Sequence, residues 1–169
     1  MIVLKLFNYS TMKFSIIISA GMLLLSCQKS EQPESVHVST DVIFAVRDAD
    51  GNDLLDPVTP GAFDEADIDV FYYENGEYKP VYEGHLDYPK SFMIINEKGD
   101  DFARIKVFVD INHTDQDGVS TTLVGFGDNE PDTIRAEIIR SKNGSITTGK
   151  VWLNGSEIAD RFEPTVIVK

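Results

Sequence analysis

Three Asn-Gly pairs punctuate the chain, at Asn75-Gly76, Asn143-Gly144 and Asn154-Gly155. Both positions of a tight two-residue hairpin turn need positive φ, which Asn and Gly tolerate best, so such a pair between alternating apolar runs is the strongest short hairpin signal. Its flanks do alternate. Ile68, Val70 and Tyr72 precede the first pair, and Tyr78 and Tyr82 follow it. Residues 67–73 should therefore pair with residues 77–83. Ile134, Ala136 and Ile138 alternate before the second pair, and residues 146–153, carrying Trp152, return after it. Turns of this kind commit most of the chain to antiparallel sheets.

The other segments agree. Residues 36–47 alternate through Val36, Val38, Val42, Phe44 and Val46, which is the period of a strand. Residues 91–96 form a short apolar run closed by Lys98-Gly99-Asp100-Asp101. Residues 103–111 place Ile105, Val107, Val109 and Ile111 on one face and predict a central strand. Residues 121–126 are β-branched, 132–140 alternate, and 165–168 make a last short strand. This gives about nine strands at the spacing of a sandwich. Only residues 158–162 hint at a single helical turn. The expected fold is all-β, an antiparallel β-sandwich, with an immunoglobulin-like topology as one version of it.

The N-terminal region has a different logic. Lys13 is followed by a thirteen-residue apolar segment, 14–26, that ends in Leu24-Leu25-Ser26 before Cys27. A membrane-spanning helix needs roughly 20 apolar residues, whereas a signal-peptide core takes about 7–15. The segment resembles a bacterial lipoprotein signal, and Leu24-Leu25-Ser26-Cys27 its lipobox. That resemblance implies removal of residues 1–26, with Met12 an alternative start, and acylation of Cys27 by palmitate-like chains. Two or three such chains anchor stably, at about 0.8 kcal/mol per buried CH₂. Residues 27–35 are polar, contain Pro33 and carry no apolar period, so they read as a flexible tether. Gln28-Lys29-Ser30-Glu31 also resembles the lysine-plus-acid signal of surface-exported lipoproteins of Bacteroidota, with Ser30 where a second acid is commoner. Residues 36–169 form the single domain. The expected location is the outer membrane, lipid-anchored, with cell-surface display as the extension.

All 28 acids follow Cys27, while Lys5 and Lys13 precede it, so the mature part has a net charge of −15. That excess opposes nucleic acid, which needs a basic face, and opposes electrostatic docking on anionic lipid. Cys27 is the only cysteine, so once acylated it leaves neither a disulfide nor a thiol nucleophile.

Gly51-Asn52-Asp53-Leu54-Leu55-Asp56-Pro57, the Ile68–Tyr72 alternation with its Asn-Gly and tyrosine, Asp132-Thr133-Ile134, and Val151-Trp152-Leu153-Asn154-Gly155 together resemble a group of small uncharacterised lipoproteins of gut Bacteroidota. The resemblance implies a secreted β-sandwich lipoprotein and carries over no catalytic residue.

Two acidic loops could hold Ca²⁺, which takes about 6–8 oxygen ligands. The first offers Asp48, Asp50, Asn52, Asp53 and Asp56, but glycine stands fourth rather than sixth and Thr59 replaces the bidentate glutamate of an EF-hand. The second offers Asp110, Asn112, Asp115 and Asp117, ending in Gly118. In the plainer reading these side chains cap their own turns. His37, His85 and His113 are the only histidines and have no metal spacing; His113 beside Asp110 and Asp115 is either a ligand or an exposed loop residue. No Gly-x-Ser-x-Gly elbow occurs, and the chain is read as not an enzyme. Asp132-Thr133-Ile134 resembles the O-glycosylation acceptor of Bacteroidota, with Thr133 as the modified residue. Of Phe71, Tyr72, Tyr73, Tyr78, Tyr82, Tyr88 and Trp152, most are expected in the core. Tyr72, Tyr78 and Tyr82 should face inward with Ile68 and Val70, and Tyr73 outward. An exposed cluster would instead suit sugar or protein binding. The functional expectation is a lipid-anchored interaction accessory with a glycan or envelope-protein partner and no cofactor. The alternative is a Ca²⁺-binding protein or a hydrolase that uses the acidic loops.

Overall fold

The computed structural model describes residues 35–97 and 102–169. The signal-like segment, Cys27, most of the tether and residues 98–101 lie outside them. Eleven strands run in chain order as β1 (Val38–Ser39), β2 (Asp41–Arg47), β3 (Ile68–Glu74), β4 (Glu77–Pro80), β5 (Phe92–Ile95), β6 (Arg104–Phe108), β7 (Val119–Phe126), β8 (Asp132–Arg140), β9 (Ile146–Leu153), β10 (Ser156–Glu157) and β11 (Thr165–Val168). A 3-10 turn at Glu65–Asp67 precedes β3, and no α-helix occurs among the described residues.

The strands form two sheets. The seven-stranded sheet has the order β1-β9-β8-β7-β3-β4, with β10 also on β9, and the four-stranded sheet has the order β11-β2-β6-β5. An immunoglobulin constant domain sets four strands against three, whereas here seven strands stand against four. Pairing is antiparallel except at β1–β9 and β11–β2, which are parallel.

Alternation explains the core. Val42, Phe44 and Val46 of β2 are fully buried, as are Ile105 and Val107 of β6. The registers Val42↔Val107, Phe44↔Ile105 and Phe92↔Val107 stack them in rows across the smaller sheet. Facing them from the larger sheet are Ile68, Val70, Val124, Phe126, Ile134, Ala136 and Val151. Each large side chain contributes about 1.5–3 kcal/mol by leaving water.

Two expectations about strands change. Residues 36–47 are not one strand: the chain crosses from the larger sheet to the smaller at buried Thr40. Val36 and Val38 are exposed, because β1 lies on the sheet edge beside β9, held by Ile146 N–H donating to His37 O at 2.9 Å. The strand at 103–111 ends at Phe108. Asp110 turns the chain there by accepting the Asn112 and His113 amides on one carboxylate oxygen. Residues 158–162 form no helix, only a turn at Arg161 and Phe162.

Candidate functional site

The β3–β4 hairpin and the segment after β6 meet at one end of the larger sheet. Asn75 at φ 53 and Gly76 at φ 94 form the two-residue turn. That turn pairs Tyr73 with Tyr78. Direct cross-strand partners share a face, so the two rings lie together on the outer face, 4.9 Å apart and tilted by 55°. They are 42 % and 46 % exposed. The inward placement expected for Tyr78 is therefore corrected by the register. Tyr82 also points to solvent, at 75 % exposure, because β4 ends at Pro80 and Tyr82 belongs to the loop beyond. Tyr72 does turn inward, and its hydroxyl donates to Phe108 O at 3.1 Å. Burial pushes its phenol above the usual value of 10.0.

Opposite the tyrosine pair stands the second acidic loop. Asp110 is fully buried, with one carboxylate oxygen on the Asn112 and His113 amides and the other 2.9 Å from His113 Nδ1. Glu74 Oε1 lies 3.6 Å from the same nitrogen. A neutral ring that donates from Nδ1 keeps Nε2 as an acceptor, so Asp110 fixes both the tautomer and the tilt of His113. Asp115 accepts the Asp117 and Val119 amides and pairs with Arg135 at 3.1 Å. The Val119 amide first, then that of Asp117 and the Arg135 charge, hold its carboxyl below the usual range. Between loop and hairpin lies a cleft of about 490 Å³, lined among others by Tyr73, Asn75, Asn112, His113, Thr114 and Thr121. On the outer face a cross-strand row continues from Thr121 to Arg135 and Trp152.

Of the residues expected from the sequence, Asp110, Asn112, His113 and Asp115 meet here with the outward-facing Tyr73, while Glu74 and Thr121 join them without having been singled out. The hairpin register was the available signal. Asp117 contributes its amide to the Asp115 turn and does not line the cleft.

The first acidic loop is occupied with its own backbone. Asp48 accepts the Asp50 and Asn52 amides on one oxygen and the Asn52 side-chain amide on the other. The Asn52 side chain, its largest influence, and the loop amides lower its pKa. Asp53 takes the Leu55 amide at 2.9 Å and the Ala103 amide at 2.6 Å, and Asp56 takes the Val58 amide. The geometry is that of turn capping. Among the described residues no group of three or more His, Cys, Asp or Glu side chains is placed to hold a metal ion.

Thr133 follows the alternation of β8, with Asp132 and Ile134 buried on either side of it. Its amide donates to Asn154 Oδ1 and its carbonyl accepts the Asn154 amide, both at 2.8 Å. Asp132 is engaged by Asn154 and Lys169. In comparisons with protein-family models, curated proteins and solved structures, none matches the chain.

Proposed function

We propose that this chain is a lipid-anchored envelope protein, tethered through Cys27 to the outer membrane and displayed outward, whose sandwich binds glycan without catalysing a reaction. The tether rests on Lys13, the apolar segment 14–26 and the lipobox-like Leu24-Leu25-Ser26-Cys27. The observation that carries the binding reading is the exposed Tyr73–Tyr78 pair beside a cleft lined by amide, hydroxyl and imidazole groups. A sugar presents C–H faces that suit aromatic rings and hydroxyls that suit Asn75, Asn112, His113, Thr114 and Thr121. A few polar groups converging in a concave site are what orient a small ligand. A Ca²⁺ or hydrolytic role for the acidic loops has less support, because Asp48, Asp53 and Asp110 already accept hydrogen bonds on both carboxylate oxygens.

The test is a glycan array probed with the Ser35–Lys169 fragment, which is a compact unit by itself. Binding to a defined glycan class that Tyr73→Ala abolishes is expected. Absence of binding, or binding indifferent to Tyr73→Ala, overturns the reading. Palmitate labelling that persists in Cys27→Ser overturns the tether separately.

A further inference from the structure

A second cleft lies on the far side of the β3–β4 hairpin and is built differently. Residues 81–91 connect β4, the last strand of the larger sheet, to β5, the last strand of the smaller. The connection closes on itself through Glu83 N–H to Pro89 O at 2.8 Å. Lys90 staples it to the start of β3, donating to Ile68 O and pairing with Asp69 Oδ1, each at 2.9 Å. Tyr88 stacks on Phe108 at 5.9 Å, and the Tyr82 ring lies over Gly84. Loop and strand leave between them a cleft of about 530 Å³, lined by Tyr82, Tyr88, Met93, Ile94, Glu65 and Asp87 among others.

One wall of this cleft is a strand edge. Phe108 N–H donates to Ser91 O, and the register runs Phe92↔Val107, Met93↔Lys106, Ile94↔Ile105. Antiparallel ladders alternate, so Met93 bonds to β6 while Phe92 and Ile94 direct their N–H and C=O groups to the free side. Such a row is a template for an added strand. The cleft also has a sign. Glu65 and Asp87 line it, and Lys90, the one lining cation among the described residues, is committed to the carbonyls of Glu65, Ala66 and Ile68 and to Asp69.

We infer that the β5 edge and its cleft take an extended polypeptide segment as an added strand, with cationic side chains alternating with apolar ones. Main-chain bonds come from Phe92 and Ile94. Apolar side chains meet Tyr82, Tyr88 and Met93, and the cations meet Glu65 and Asp87. This site is independent of the glycan cleft.

The probe is a short capped peptide alternating valine and lysine, titrated against the Ser35–Lys169 fragment by fluorescence anisotropy, with a valine–glutamate peptide and a neutral gluco-oligosaccharide as the other arms. The valine–lysine peptide binds, more weakly as salt rises, and protects the Phe92 and Ile94 amides from hydrogen exchange. Ile94→Pro removes an outward N–H without touching the β6 ladder, a substitution tolerated on edge strands, and lowers affinity about tenfold. Should Ile94→Pro lower the melting temperature, Glu65→Lys with Asp87→Lys on the exposed wall carries the same test. No binding of the valine–lysine peptide, equal binding of the glutamate peptide, unchanged affinity in the variants, or displacement of the peptide by the oligosaccharide overturns the inference.

Discussion

Lys169 Nζ lies 2.6 Å from Asp132 Oδ2, and both side chains are about nine-tenths buried. The same ammonium donates to Glu130 O at 2.7 Å and sits 5.6 Å from the Phe126 ring centre. The pair ties the end of β11 to the start of β8, so one ion pair joins the two sheets. Replacing one member leaves an uncompensated buried charge, at about 3–5 kcal/mol. Lys169→Met, which keeps the apolar stem over Phe126, should lower unfolding stability by about 3 kcal/mol in urea titration. The double replacement Asp132→Asn with Lys169→Met should recover part of that loss. A single-variant loss below about 1 kcal/mol would show the pair to be no better than a surface one.

Tyr72 links the same two sheets through its hydroxyl bond to Phe108 O. Tyr72→Phe should cost about 1 kcal/mol, the net worth of one such bond. Burial, the largest cause, raises the phenol pKa above 10.0, while Ser91 opposes it and the charges of Asp110 and Glu83 add to it. A raised folded pKa means that stability is fully present below the unfolded value and is lost as pH climbs through the folded one. The wild-type chain should therefore lose stability above about pH 10, and Tyr72→Phe should flatten that limb. Thermal melts across the alkaline range check it; identical slopes would exclude Tyr72 as the cause.

Asp48 predicts the opposite limb. Its depressed pKa makes a contribution that is present above the unfolded carboxyl value and is lost as pH falls through the lower folded one. Asp48→Ala should reduce the melting temperature equally in calcium and in chelator, and should weaken the acid dependence. A loss seen only in calcium would make the loop a cation site.

How much of this could be read from the chain depends on range. β8, β9 and β11 fall where alternation and the turns put them, at Asp132–Arg140, Ile146–Leu153 and Thr165–Val168. Local chemistry suffices there, since period and turn residues lie within the segment itself. Tyr78 shows a second level. Once Asn75-Gly76 is a two-residue turn, residue 78 must oppose residue 73 and share its face, so the exposed pair was present in the spacing. Counting parity along the strand from Ile68 carried the pattern through the turn, where pairing resets it. Thr40 shows the limit. Val36, Val38, Val42, Phe44 and Val46 keep one parity, yet the first two are exposed and the last three are core. The crossing between sheets is set by partners more than sixty residues away, on β6 and β9. The meeting of His113 with Tyr73 is of that same long-range kind.

Asp110 and His113 separate scaffold from ligand contact within the cleft proposed to take glycan. Asp110 is fully buried and holds two amides as well as the imidazole, so Asp110→Ala removes three part-buried hydrogen bonds to a charged group together, each at about 1–3 kcal/mol. It should lower stability by about 3 kcal/mol and weaken binding as the loop relaxes. His113 is partly exposed, with 40 % of its side chain accessible. His113→Asn keeps an amide near the Nδ1 position to bond Asp110 and should leave the unfolding free energy within about 0.5 kcal/mol of wild type. Glycan affinity should still fall about tenfold, or roughly 1.4 kcal/mol, because Nε2 is lost as an oriented acceptor. Paired urea titrations and calorimetric binding on the two variants decide the matter. If His113→Asn left affinity unchanged, His113 would be structural, and the cleft would have to bind through Tyr73, Asn75 and the threonines alone.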